Sequence, residues 1–238
     1  MMEPATTGGR KKLEPDPRIR STILTAAAEI VREDGVSALS IAEVLNRSNL
    51  GTRAFYRHFD SKDQLVSALF LEMARVEVQR LERHMAAAPD AVRAVAAWID
   101  GRLDLAFNAG IRSDLRQMSL EAQSQMFAAP ELVGPAYREM LRPLVDQLEH
   151  GRQAGLFDDI DPEVEVLSIQ GVVWSNIERQ WATPGCDLQE IRAHVLRFCL
   201  RGLGVAPEMI QAVVNEPRTE RKPMKRNASK SGVHTRSR

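Results

Sequence analysis

Cysteine is almost missing from this 238-residue chain. The two present, Cys186 and Cys199, stand with His194 between them, a spacing that fits neither a zinc site nor a disulfide framework, so both read as ordinary buried thiols. Aromatic residues make up only 5%. No stretch approaches the run of about eighteen apolar residues that a bilayer crossing needs. The leading MMEPATTGGRKK lacks the apolar core of a secretory signal. The chain is therefore expected to work in the cytoplasm, away from membranes. There is no glycine-rich phosphate loop, no pair of carboxylates beside a histidine in a recognisable motif and no metal cluster, so neither an enzyme, a metal nor a cofactor is expected.

What is present is a globular composition, with 44% hydrophobic and 27% charged residues, enough for one large domain or two modest ones. The formal charge is zero, yet it is unevenly spread. From Pro217 to Arg238 there are eight Lys/Arg against Glu220 alone, so this tail carries plus seven and the preceding residues carry minus seven. Any surface for nucleic acid must be local.

Helical periodicity runs through nearly everything between the tails, and no alternating strand pattern competes, so the fold class is all-α. Asp16-Pro17 is a cap followed by proline at the first helical position, and Ile19, Ile23, Ala27, Ile30 and Val31 recur at helical spacing until Gly35. Ser40-Ile-Ala-Glu43 is a capping box with Leu39 and Val44 placed as a hydrophobic staple. A brief helix ends near Arg47 or Ser48, and Asn49 can take the left-handed turn. A third helix begins at about Gly51. Ser61-Lys-Asp-Gln64 opens a fourth, with Leu65, Leu69, Met73 and Val76 on its apolar face.

Further on, helices are expected from Ala91 to Asn108, near Ser113 to Gln125, and from Pro130 to His150, the last bent or broken by Gly134-Pro135 and Pro143. Asp161-Pro162 opens a helix with Leu167, Gln170, Trp174, Ile177 and Trp181 on one side. Asp187-Leu-Gln-Glu190 opens another, carrying Leu188, Ile191, Val195 and Phe198. The resulting division is a disordered arm at 1–15, a helix-turn-helix unit at 16–78, a larger helical domain at 79–206, and a basic, disordered tail at 207–238.

The segment Leu50-Gly-Thr-Arg-Ala-Phe-Tyr-Arg-His-Phe59 alternates aromatic and basic residues unusually densely. At about 100° per residue, Ala54, Phe55, His58 and Phe59 share one arc while Thr52, Arg53, Tyr56 and Arg57 share the opposite one. Phe55 and Phe59 thus anchor a short helix, and the other four face outward. A short helix followed across a tight turn by such a helix is a helix-turn-helix, whose second helix enters the major groove. Arg53 can donate bidentately to guanine, Thr52 can meet a thymine methyl or a phosphate, and Tyr56 and Arg57 can bond phosphate oxygens. Ser40 and its neighbouring amides, and Lys62 at the start of helix four, suit the DNA backbone. His58 is either a packed or capping residue or a phosphate contact. Arg47 is solvated or touches the backbone, and the basic tail is a solubilising extension or adds salt-sensitive affinity.

The stretch ILTAAAEIVREDGVSALSIAEVLNRSNLGTRAFYRHFDSKDQL resembles the DNA-binding domain of the tetracycline-repressor (TetR) family. The likeness rests on the glycine after helix one, the serine opening helix two, Tyr56 with Phe59, and Ser61 with Lys62, over about fifty residues. Three positions depart from the pattern. Asn49 replaces the usual turn glycine, Gly51 replaces the usual serine cap but lets main-chain N–H groups approach a phosphate, and Arg53 replaces a small residue, so no relative's operator sequence carries over.

The resemblance implies a regulator that binds a duplex operator, with a second domain holding a small-molecule effector. Trp98, Phe107, Met118, Met126, Phe127, Tyr137 and Trp174 are the candidates to line that effector pocket, each otherwise a core residue. It also implies a homodimer through paired C-terminal helices, for which Leu167, Trp174, Ile177, Trp181, Ile191, Val195 and Phe198 are the candidate interface, again with the protein's own core as the alternative. Repression of a palindromic operator, relieved by a largely apolar effector acting through helix four, is the expected function. The rival classes are an all-α enzyme using the cavity and a helical adaptor using the Arg/Tyr face on an acidic protein.

Overall fold

The structure, a computed structural model, describes residues 16–108 and 113–218. Among these every regular element is helical: α1 (Pro17–Asp34), α2 (Ile41–Ser48), α3 (Thr52–His58), α4 (Lys62–Met85), α5 (Ala91–Phe107), α6 (Ser113–Ala128), α7 (Pro130–Gln153), α8 (Pro162–Ala182), α9 (Leu188–Gly202) and α10 (Pro207–Asn215), with one 3₁₀ turn at Val36–Ala38. The expected caps form. Asp16, Ser40, Ser61, Asp161 and Asp187 each accept a hydrogen bond from a backbone N–H in the first turn of the helix that follows, satisfying a donor that would otherwise lack a partner. Neither box closes in the expected way, because Glu43 instead accepts from Arg47 and Gln64 from the N–H of Asp60.

Two hydrophobic clusters organise the chain. One joins α1, α2, α3 and the first half of α4, and it includes Met118, Val133 and Ala136 from beyond the expected domain boundary. The other joins the end of α4 to α5, α7, α8, α9 and α10. Helix α4 serves both, with Leu65, Val66, Leu69 and Phe70 in the first and Leu81 and Met85 in the second. The two units therefore share one long rigid element.

Four expectations need correction. Val76 is 57% exposed, since the buried face of α4 runs through Ala74, Glu77, Val78 and Leu81. Helix α7 is continuous from Pro130 to Gln153 with Pro135 and Pro143 inside it. Each internal proline costs on the order of 3 kcal/mol, but α7 lies along α4 and buries Val133, Ala136, Leu141, Leu144 and Leu148, which more than offsets it. Leu167 lies at the rim of the buried face of α8 that carries Gln170 and Trp174, and it is left open at 56% exposure. Finally, the chain after 206 is not wholly without order. Pro207 starts α10, whose Ile210 and Val213 enter the core. Its far end is held by Arg192 Nη1 donating to Val214 O at 3.0 Å and by Arg93 donating to Glu216 at 2.6 Å. Arg218 donates to Asp104 and to Asp100 O. The rest of the basic tail and the N-terminal arm lie outside the described residues.

Candidate nucleic-acid interface and ligand cavity

The turn between α2 and α3 is built by Asn49, which takes φ 52° and ψ 40°. This is the one positive φ at a non-glycine among the described residues. Leu50 N–H donates to Leu45 O at 3.1 Å, the long-range bond of a helix-ending left-handed turn. Gly51 then caps α3 without a side-chain bond, and nothing lies within 4 Å of where its side chain would start, so a partner's backbone can approach it closely.

Helix α3 is fixed from behind. Phe55 and Phe59 are fully buried with ring centroids 5.7 Å apart, and the Arg20 guanidinium lies 5.4 Å from the Phe59 ring centroid. The opposite face is open: Thr52, Arg53, Tyr56 and Arg57 are all exposed, Tyr56 at 53%. The Tyr56 ring stands edge-on to Phe55 at 5.4 Å, which steadies the phenol while leaving it outward. No described residue pairs with Arg53 or Arg57, whereas Arg47 is held by Glu33 at 2.5 Å and Glu43 at 3.4 Å. That pairing takes Arg47 out of the free set, and its guanidinium holds the Glu33 carboxyl below the usual range. Ser40 is exposed beside its capped N–H groups, and Lys62 is half-buried at the start of α4. His58 is half-buried with neither ring nitrogen hydrogen-bonded, so it packs and does not cap.

Where the two clusters meet, a pocket enclosing about 610 Å³ of space, open solvent included, lies between α4, α5, α6, α7 and α8. Of the residues expected there, Met118, Met126, Tyr137 and Trp174 line it. The others do not. Trp98 is fully buried in the core, under the Arg102 guanidinium. Phe107 packs at the edge of the same core, and Phe127 points outward at 84% exposure. The walls missed by sequence reasoning include Phe70, Met73, Met140, Glu77, Arg102 and Gln170. Gln170 alone left a signal, as a polar residue within an apolar stripe.

Glu77 is 4% exposed, and it accepts from Arg80 Nε and Nη2 and from Arg102 Nη1, each at 2.8 Å. Burial works to raise its carboxyl, but the two guanidinium groups outweigh it and hold it below the usual range. Burial pushes the Tyr137 phenol up and pulls the Arg102 guanidinium down.

Residues 23–69 match the family model for bacterial regulatory proteins of the tetR family. The N-terminal unit is a tetR-family DNA-binding domain. No curated protein sequence matches it, so the remaining comparisons are with solved structures. A TetR-type fold over most of the chain is shared with RolR in complex with resorcinol, at TM-score 0.59 and 20% identity, over 85% of this chain and 96% of that one. It is shared also with the regulator FadR from Bacillus subtilis in complex with stearoyl-CoA, at 0.61 and 19%, over 76% and 98%. The fatty acid degradation regulator FadR from Bacillus halodurans aligns at 0.60 and 18%, over 80% and 99%. The protein is a DNA-binding transcriptional regulator with a TetR-type N-terminal domain and a helical C-terminal domain.

The stripe proposed for dimerisation divides. Ile177, Val195, Ile191 and Trp174 are buried in the protein's own core, and Trp181 is half-buried against Trp174 and the Arg116 guanidinium. The first four are covered by the chain itself, and Trp181 is covered in part. Leu167 and Phe198 are open, at 56% and 60% exposure, together with Val164. Gly171, one turn from Leu167, has nothing within 4 Å of where its side chain would start. Among the described residues no helix is long and apolar enough to cross a membrane.

Proposed function

We propose that this regulator is a cytoplasmic repressor that binds a palindromic duplex operator as a homodimer and is released from it by a small, largely apolar effector. The observation that carries the reading is the sidedness of α3, with Phe55 and Phe59 locked inward while Thr52, Arg53, Tyr56 and Arg57 stand exposed together. Arg53 is the residue proposed to read bases. Thr52, Tyr56, Arg57, Lys62, Ser40 and the Gly51 main chain are proposed to contact the DNA backbone, and His58 to support them by packing.

One short helix reads too few bases alone, and a second copy supplies the other half-site about 34 Å away. Val164, Leu167, Gly171 and Phe198 are proposed as the centre of the two-fold contact. The cavity supports effector binding because its wall is mostly apolar with a few polar groups set in it and its methionines adapt to ligand shape. Resorcinol and stearoyl-CoA, held by the two similar proteins, are too unlike each other to transfer. The effector acts only to the extent that it prefers the conformer in which the recognition helices miss successive grooves.

The test is to titrate small apolar molecules into a fluorescent protein–operator complex. Release by those that occupy the cavity is expected. Persistent DNA binding at full occupancy of the cavity would overturn the release mechanism. In the absence of ligand, affinity should fall steeply between about 50 and 200 mM salt, and an adaptor that binds an acidic protein would show no affinity for duplex at either concentration.

A further inference from the structure

The cavity is not uniformly apolar. Phe70, Met73, Met118, Met126, Met140 and Trp174 supply its greasy wall, while Glu77, Arg102, Tyr137 and Gln170 line it from α4, α5, α7 and α8, with Ser119 and Gln123 on α6. Arg102 is 3% exposed and Gln170 2%. Each holds a polar atom that the protein leaves unsatisfied: Arg102 Nε, a donor, and Gln170 Oε1, an acceptor. Buried groups of this kind normally have partners, and leaving them without one is costly. The neighbouring carboxylate is already used. Both Glu77 oxygens are taken by Arg80 and Arg102, and the Tyr137 phenol stands in the same wall.

From this pairing we infer that the cavity takes a neutral, mostly apolar molecule that carries a hydroxyl group, its oxygen accepting from Arg102 Nε and its proton going to Gln170 Oε1. The inference rests on the effector-binding reading above and narrows it to a ligand class. A carboxylate would answer Arg102 but would set its charge against the Glu77 carboxylate and the Gln170 oxygen, both in the same wall. A cation would meet the Arg102 guanidinium with Glu77 already saturated. An ether or hydrocarbon would leave Gln170 Oε1 without a donor. A group that accepts and donates at once satisfies both atoms.

The test is calorimetric titration of the full-length protein with 4-butylphenol, 4-butylanisole, butylbenzene and 4-butylbenzoate, in parallel with release of an operator duplex. The phenol is expected to bind at least about tenfold more tightly than the other three, as for one satisfied buried donor–acceptor pair. Gln170→Leu should cut phenol binding by a similar factor while leaving the anisole within about twofold. Equal affinity for the phenol and its ether, or tightest binding by the benzoate, overturns the ligand class. If those probes still release DNA, the effector reading survives without it. Tight phenol binding without release supports the ligand class and removes the release mechanism. No binding by any of the four overturns both.

Discussion

The Glu121 carboxylate, on α6, accepts a hydrogen bond from the backbone N–H of Val36 at 3.3 Å. Val36 follows Gly35 at the end of α1, within the unit that carries α3. On the same helix Met118, Ser119, Ala122, Gln123 and Met126 line the cavity. One element therefore touches both the ligand space and the DNA-binding unit, in addition to the shared α4.

A shift of α6 on ligand binding would be felt at Val36 through this bond. Glu121→Ala is accordingly expected to leave ligand affinity nearly unchanged while reducing the ligand's effect on DNA affinity by about 0.5–2 kcal/mol of coupling. Measuring DNA affinity with and without saturating ligand, for both proteins, checks it. An unaltered ratio would leave α4 and the packing of Met118, Val133 and Ala136 as the connection.

The same junction depends on Gly35, whose φ of 80° and ψ of 171° belong to a region essentially restricted to glycine. An added Cβ would also stand 3.0 Å from Glu121 Oε1. Gly35→Ala should destabilise the protein by about 1–3 kcal/mol, read as a lowered urea midpoint. No change in the midpoint would mean that the backbone relaxes there without strain.

Glu77 is the charge on which the cavity floor depends. Glu77→Gln leaves Arg80 and Arg102 near one another without their shared carboxylate, and a loss of about 3–5 kcal/mol is expected. Because the folded carboxyl sits below its ordinary value of 4.5, the wild-type stabilisation is fully present above that value and disappears as pH falls through the lower folded value. Urea midpoints of the two proteins should differ most near neutral pH and converge in acid. A pH-independent difference would contradict the assignment.

The two thiols should react very differently. Cys199 is 4% exposed and burial pushes its thiol up to about 12, leaving on the order of one part in 10⁴ as thiolate at pH 8. Cys186 is half-exposed. A chromogenic disulfide reagent should therefore titrate one thiol in the native protein and a second only after unfolding. Two equally fast thiols would show that α9 opens readily.

Local signals carried the DNA-binding unit. The caps at Asp16, Ser40 and Ser61, the left-handed Asn49 and the split of aromatics across α3 are all decided within a few residues, and each was legible in the sequence. What depends on partners distant along the chain was not. Helical spacing groups Ile177, Val195 and Phe198 alike, and it cannot distinguish a face buried against the same chain from one left open. Phe127 and Trp98 looked like pocket residues because size and apolarity do not reveal direction. The polar part of the cavity depends on Glu77 meeting Arg102 and Tyr137 meeting Gln170, pairings that no local pattern foretells. The prolines of α7 predicted a break that packing against α4 overrides.

The most direct test of the account is to select duplexes from a random DNA pool with the wild-type protein and with Arg53→Ala. The wild type should enrich an inverted repeat with half-sites about one helical turn apart, and Arg53→Ala should relax the base preference at one position in each half-site while the protein stays folded. Failure to enrich any sequence, or an identical motif from both proteins, would contradict the claim that the exposed face of α3 reads DNA.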